Sequence, residues 1–167
     1  MTNFTITSPD FKEQAELSKT HEFNGFDGEG HNRSPALQWQ GAPANTRSFA
    51  LTMYDPDAQT GSGFWHWVLY DIPAEARQLA QGVGSVDVSA LTGIGLQAEN
   101  DFGATGYGGP CPPKGAAAHR YLFTLHALGV PSLGLSPGRG VTNAIVRFMI
   151  HQNTLATATL TGQYGRP

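Results

Sequence analysis

Apolar and polar positions alternate along much of the chain, in short runs separated by turn-rich intervals, and that rhythm predicts strands. Arg47 to Tyr54 (RSFALTMY) sets Phe49, Leu51 and Met53 on one face and Ala50, Thr52 and Tyr54 on the other. Phe64 to Ile72 (FWHWVLYDI) is apolar on both faces, which places it at the centre of a packed sheet. Tyr121 to Val130 (YLFTLHALGV) alternates again, with Tyr121, Phe123 and Leu125 against Leu122, Thr124 and His126. Shorter alternations predict an edge strand at Phe4 to Ser8, an extended piece around His21 and Phe23, and strands at Ala36 to Trp39 and Ile94 to Ala98. Thr154 to Tyr164 reads as a final strand. Only Val141 to Ala156 carries a helical pattern, with Val141, Ile145, Phe148, Met149 and Leu155 recurring along one stripe. Glu75 to Ala90 has too little pattern to assign. Many strands and one late helix predict a mainly β fold: an antiparallel β-sandwich with a peripheral C-terminal helix, residues 1–167 forming a single domain.

Composition narrows the function. A chain of 167 residues buries roughly 70% of its unfolded surface, so it needs no metal or disulfide to fold. Its 21 glycines and 11 prolines are spread along the chain, as many short strands and turns require. Charged residues make up 14%, the formal net charge is -3, and no basic stripe is present, which argues against a nucleic-acid partner. No apolar run is long enough for a membrane span. The first residues, MTNFTITSPDF, have neither a basic nor an apolar signal region, so a cytoplasmic location is expected. The single cysteine, Cys111, excludes an intramolecular disulfide.

The chemistry gathers around Gly106 to Tyr121 (GYGGPCPPKGAAAHRY). Its first half is nearly all Gly and Pro, which makes neither helix nor strand. It predicts a rigid loop running into His119, Arg120 and Tyr121 at the start of a core strand. Asp55 and Asp57 follow another core strand in Asp55-Pro56-Asp57-Ala58, and His66 stands between Trp65 and Trp67 inside a third. If the three strands are neighbours, a carboxylate, two imidazoles and a phenol converge beside the loop. With loop N–H groups as added donors, such a pocket suits a small oxyanion such as phosphate. Taken singly, His66 reads equally well as a core histidine and the Asp-Pro-Asp run as a turn. Their co-occurrence favours a site.

These motifs resemble those of the phosphatidylethanolamine-binding protein family. The resemblance rests on Asp55-Pro56-Asp57-Ala58, Trp65-His66-Trp67, Gly108-Gly109-Pro110-Cys111-Pro112-Pro113-Lys114-Gly115 and His119-Arg120-Tyr121, in that order. It is strongest to the bacterial YbhB/YbcL-like branch, often labelled Raf-kinase-inhibitor-like, and runs from Ser34-Pro35-Ala36-Leu37 to Gly162-Gln163-Tyr164. It implies an antiparallel β-sandwich with a small anion pocket at one end, used for phosphate-like groups including phosphoethanolamine. The matching ligand-binding positions are Asp55, Asp57, His66, Gly109, Pro112, Pro113, His119 and Tyr121. The resemblance also implies a homodimer, and protein partners such as a kinase or protease, without any interface legible in these residues. Two departures stand out. Gln59 occupies the place of the last proline in the usual Asp-Pro-Asp-Ala-Pro, and the chain stops soon after Tyr164, where eukaryotic members add a helix near the pocket. The second implies a more open pocket.

The function expected from this is non-catalytic binding of a phosphate or phosphoryl-bearing small ligand, with no cofactor. Two alternatives use the same residues. A Cys111–histidine–Asp55 arrangement would make a hydrolase, although Cys111 lies between prolines with no helix N-terminus to lower its pKa. Asp55, His66 and His119 would make a metal ligand set, although no short-range His pair ties them together.

Overall fold

Among the described residues, nine strands and one α-helix form three layers. The computed structural model describes residues 3–138 and 140–167. The strands are β1 (Thr5–Thr7), β2 (Leu37–Gln40), β3 (Ser48–Asp55), β4 (Phe64–Pro73), β5 (Gln78–Leu79), β6 (Ala90–Leu91), β7 (Gly95–Gln97), β8 (His119–Leu128) and β9 (Thr154–Tyr164). Helix α1 covers Asn143–Asn153. A six-stranded sheet runs β6-β7-β4-β3-β8-β9, and a three-stranded sheet runs β1-β2-β5. Every pair of neighbouring strands is antiparallel.

The period-two pattern explains the layering. Phe49, Leu51 and Met53 of β3, Trp67 and Leu69 of β4, and Phe123 and Leu125 of β8 pack against Ile6, Leu37, Trp39 and Leu79 of the small sheet. The alternate residues Ala50, Val68 and Tyr70 face the opposite way and meet Val146 and Ile150 of α1. β4 is therefore covered on both faces, and its uninterrupted apolar run is the sequence trace of that position. The sandwich with a peripheral helix is the predicted architecture.

Two local expectations are corrected and one unassigned stretch is filled. The residues around His21 form a single 3-10 turn, Lys19–His21, not an extended piece. His21 is buried there, its Nδ1 hydrogen-bonded to the Arg33 carbonyl at 2.8 Å. The unassigned Glu75 to Ala90 stretch supplies β5, whose Leu37↔Leu79 register completes the small sheet. The helix is shorter than its stripe. Thr142 caps it by accepting from the Ile145 N–H, and from Thr154 the chain is already strand. The buried face is Val146 and Ile150, while Ile145 and Phe148 of the predicted stripe are 43% and 62% exposed.

Candidate functional site

At one end of the large sheet, β3, β4 and β8 deliver Asp55, His66, His119 and Tyr121 to one cavity of about 120 Å³. Alternation explains the selection from β8: His119 and Tyr121, two residues apart, face inward, and Arg120 between them is exposed. Pro112 and Pro113 close one side from the Gly/Pro loop, and Phe64, Phe102, Ala58 and Gln59 supply most of the remaining wall.

The polar groups form two linked pieces. Asp55 is buried at the end of β3, and its Oδ2 accepts a 2.7 Å hydrogen bond from His119 Nδ1. Its Oδ1 accepts from the Asp57 N–H at 2.8 Å, so the following turn is tied to the same carboxylate. The carboxylate thereby fixes the orientation of His119, and Nε2 makes no hydrogen bond among the described residues. On β4, His66 Nδ1 donates to the Gly108 carbonyl at 2.7 Å. Burial depresses the His66 pKa to about 4, against the opposing effects of the Gly108 carbonyl and the Asp55 charge, so the ring is neutral at physiological pH. The Tyr121 ring packs edge-on to His66 with centroids 5.3 Å apart. Its hydroxyl is buried and has no hydrogen-bond partner among the described residues. Burial pushes that phenol well above its ordinary range, so it stays a neutral O–H. An orphaned buried hydroxyl on a cavity wall is free to bond a guest.

Two of the eight candidate residues do not line the cavity. Asp57 turns away and grips Arg120, accepting from its Nε at 3.0 Å, its Nη2 at 2.9 Å and its backbone N–H at 2.9 Å. The Arg120 hydrogen bonds hold the Asp57 carboxyl down at about 2. Gly109 serves packing. Its N–H donates to Asn32 Oδ1 at 2.8 Å, and a Cβ at this position would collide with the His21 carbonyl oxygen. The expected cradle of glycine N–H groups is likewise absent over residues 106–109. Gly106, Tyr107 and Gly108 donate to the carbonyls of Ala98, Gly84 and His66. The loop's glycines dock it onto the sheet, and its prolines carry no N–H.

Residues outside the predicted set complete the site. Phe102 stacks on Phe23 with centroids 3.9 Å apart and meets Phe64 edge-on at 4.6 Å. Arg166 is buried under the loop, donating through Nε to the Pro112 carbonyl at 2.7 Å and pairing with Asp27 at 2.9 Å. Both lie in sequence contexts without a motif, so pattern alone could not select them. Cys111 also lines the cavity. Burial pushes its thiol pKa up, with Arg166 opposing and the Asp27 carboxylate adding to the rise. Among the described residues no group of three or more His, Cys, Asp or Glu side chains is arranged to hold a metal ion. No helix of the described chain is long and apolar enough to cross a membrane.

A two-sheet antiparallel sandwich has a small end-on cavity walled by an aspartate–histidine pair, a neutral histidine and a proline-stiffened loop. The chain belongs to the phosphatidylethanolamine-binding protein family, whose model matches residues 7–165. It is 45% identical to the UPF0098 protein YbhB of Escherichia coli over 159 residues, 95% of this chain and 98% of that protein. It is 43% identical to YbcL of the same organism, over 96% of this chain and 87% of that protein. The crystal structure of E. coli YbcL superposes with a TM-score of 0.92, covering 98% of this chain and 99% of that one at 42% identity. The Chlamydia trachomatis homologue CT736 follows the same fold with a TM-score of 0.82 at 27% identity, each chain fully covered.

Proposed function

We propose that this protein is a non-catalytic binding protein whose cavity takes a phosphate or phosphoryl group of a small ligand. The observation that carries the reading is the Tyr121 hydroxyl, a buried hydrogen-bond donor without a partner, on the same wall as the Asp55–His119 pair. A cavity of about 120 Å³ matches a small tetrahedral group and is too small for a whole lipid. His119, held by Asp55, places a second polar side chain on that wall. The raised pKa of Cys111 argues against a thiolate nucleophile and so supports binding over hydrolysis. Titration calorimetry with inorganic phosphate and phosphoethanolamine near neutral pH tests the proposal. Saturable binding that is lost in His119→Ala is expected, and the absence of any heat with wild-type protein would overturn it. The same family-based proposal extends to a cytoplasmic location, a homodimer, and regulatory contact with a kinase or protease. Cell fractionation, light scattering and co-purification check these in turn.

A further inference from the structure

Building on the anion-pocket reading, the hydrogen-bond polarity of the wall specifies which anion fits. A carbonyl oxygen only accepts, so the His66 proton must sit on Nδ1, facing Gly108. Nε2 is then a bare lone pair. No hydrogen bond to it is formed among the described residues, the Gly109 carbonyl acting on the ring alongside that of Gly108, and His66 is a wall of the cavity. The titratable groups around the ring are Asp55 from β3, Asp101 and Cys111 from the flanking loops, and His119 and Tyr121 from β8. None of them donates to Nε2 or adds a fixed positive charge.

Charge points the same way. Among the described residues no lysine or arginine lines the cavity. Arg120 is held by Asp57, and Arg166 by Asp27 and the Pro112 carbonyl. The wall therefore carries the Asp55 carboxylate, hydrogen-bonded to His119. A fully ionised phosphate monoester would bring two negative charges to this wall and set an oxygen lone pair against the Nε2 lone pair. The singly protonated ester brings one charge and one P–O–H. We infer that the cavity selects phosphate monoesters, or phosphate itself, in a protonated P–OH form, with His66 Nε2 accepting the P–O–H proton and the Tyr121 hydroxyl donating to another phosphoryl oxygen. A phosphodiester, as in a phospholipid head, has one charge but no P–O–H and leaves Nε2 unmatched. Monoesters ionise a second time at about pH 6, so the favoured form is abundant just below neutrality.

The test uses wild-type protein and anions that differ by one proton. Methyl phosphate monoanion and methyl sulfate share shape and single charge, but only the former carries an acidic hydrogen; dimethyl phosphate represents the diester. By calorimetry at about pH 5.5, methyl phosphate is expected to bind at least about tenfold tighter than either, the effect of one matched hydrogen bond in a buried site. That advantage should fall as the pH rises through the ester's second ionisation at about 6. Tyr121→Phe should weaken methyl phosphate and methyl sulfate alike and preserve the preference. Equal affinity for methyl sulfate and methyl phosphate would overturn the protonation rule while leaving an anion pocket in place. So would an acid-side gain of equal size for both anions. No binding of any of the three would overturn the pocket reading itself.

Discussion

Two acid–base pairs join the end of β3 to the start of β8, one residue apart on β8 and two apart on the acidic side. Asp55–His119 is buried, with side-chain exposures of 4% and 11%, and its histidine lines the cavity. Asp57–Arg120 is bidentate and better formed as an ion pair, yet it lies at the surface with side chains 32% and 55% exposed. The stronger-looking pair does the lesser work. It fastens the turn after β3 to β8, while the buried pair aims an imidazole into an enclosed site. Strand alternation makes the difference: the side chains of residues 119 and 121 share the inner face, and that of 120 does not.

Among single substitutions, the largest effect should come from breaking the buried pair. His119→Ala leaves the Asp55 carboxylate buried without its ring partner, so unfolding free energy should fall by about 3 kcal/mol in urea melts. Acidification separates the two regions next. His66 has a folded pKa of about 4, below the ordinary histidine value of 6.5, so the folded state binds fewer protons than the unfolded chain between those values. Its contribution is fully present above pH 6.5 and is lost as the pH falls toward 4. The loss is about 3 kcal/mol over that window, and His126, buried to the same pKa, adds a comparable term. Asp57 behaves differently. Its folded pKa of about 2 lies below its ordinary 3.8, so its contribution survives the whole histidine window and disappears only as the pH drops through that lower range. Chemical denaturation at stepped pH should therefore show one loss centred between the two histidine limits and a later, smaller one. Arg120→Ala should cost about 1 kcal/mol or less, shrink further in high salt, and leave anion binding intact. Tyr121→Phe should change stability least, since the lost hydroxyl has no protein partner, while weakening any anion that the wall binds.

The same contrast marks what was legible in the sequence. The core strands and the central place of β4 were readable because burial imprints a local period on the chain. Asp55, His66, His119 and Tyr121 could be nominated because each interrupts or ends an apolar run. The division of labour between Asp55 and Asp57 was not readable, since both fit a turn motif and only the register with β8 separates them. Gly109 is ambiguous for a related reason. A glycine that lets a ligand approach and one that lets the His21 carbonyl approach look identical in sequence. The tautomer of His66 depends on Gly108, and the loop's anchoring depends on Asn32 and Arg166, all distant contacts with no spacing rule to reveal them. The helix stripe failed at Ile145 and Phe148 because the pattern shows that an apolar face exists and not which part of it the sheet covers.

The antiparallel order β4-β3-β8-β9 has a kinetic consequence. It sets Ser48 opposite Leu128 and His119 opposite Tyr164, partners that meet only after long loops close. Sheets of that kind condense in milliseconds to seconds, not microseconds. The cavity draws a wall from β3, β4 and β8 together, so no single hairpin contains all of it. An anion held there acts on the completed fold alone. It should leave refolding rates nearly unchanged, slow unfolding, and raise the melting temperature with the logarithm of its concentration.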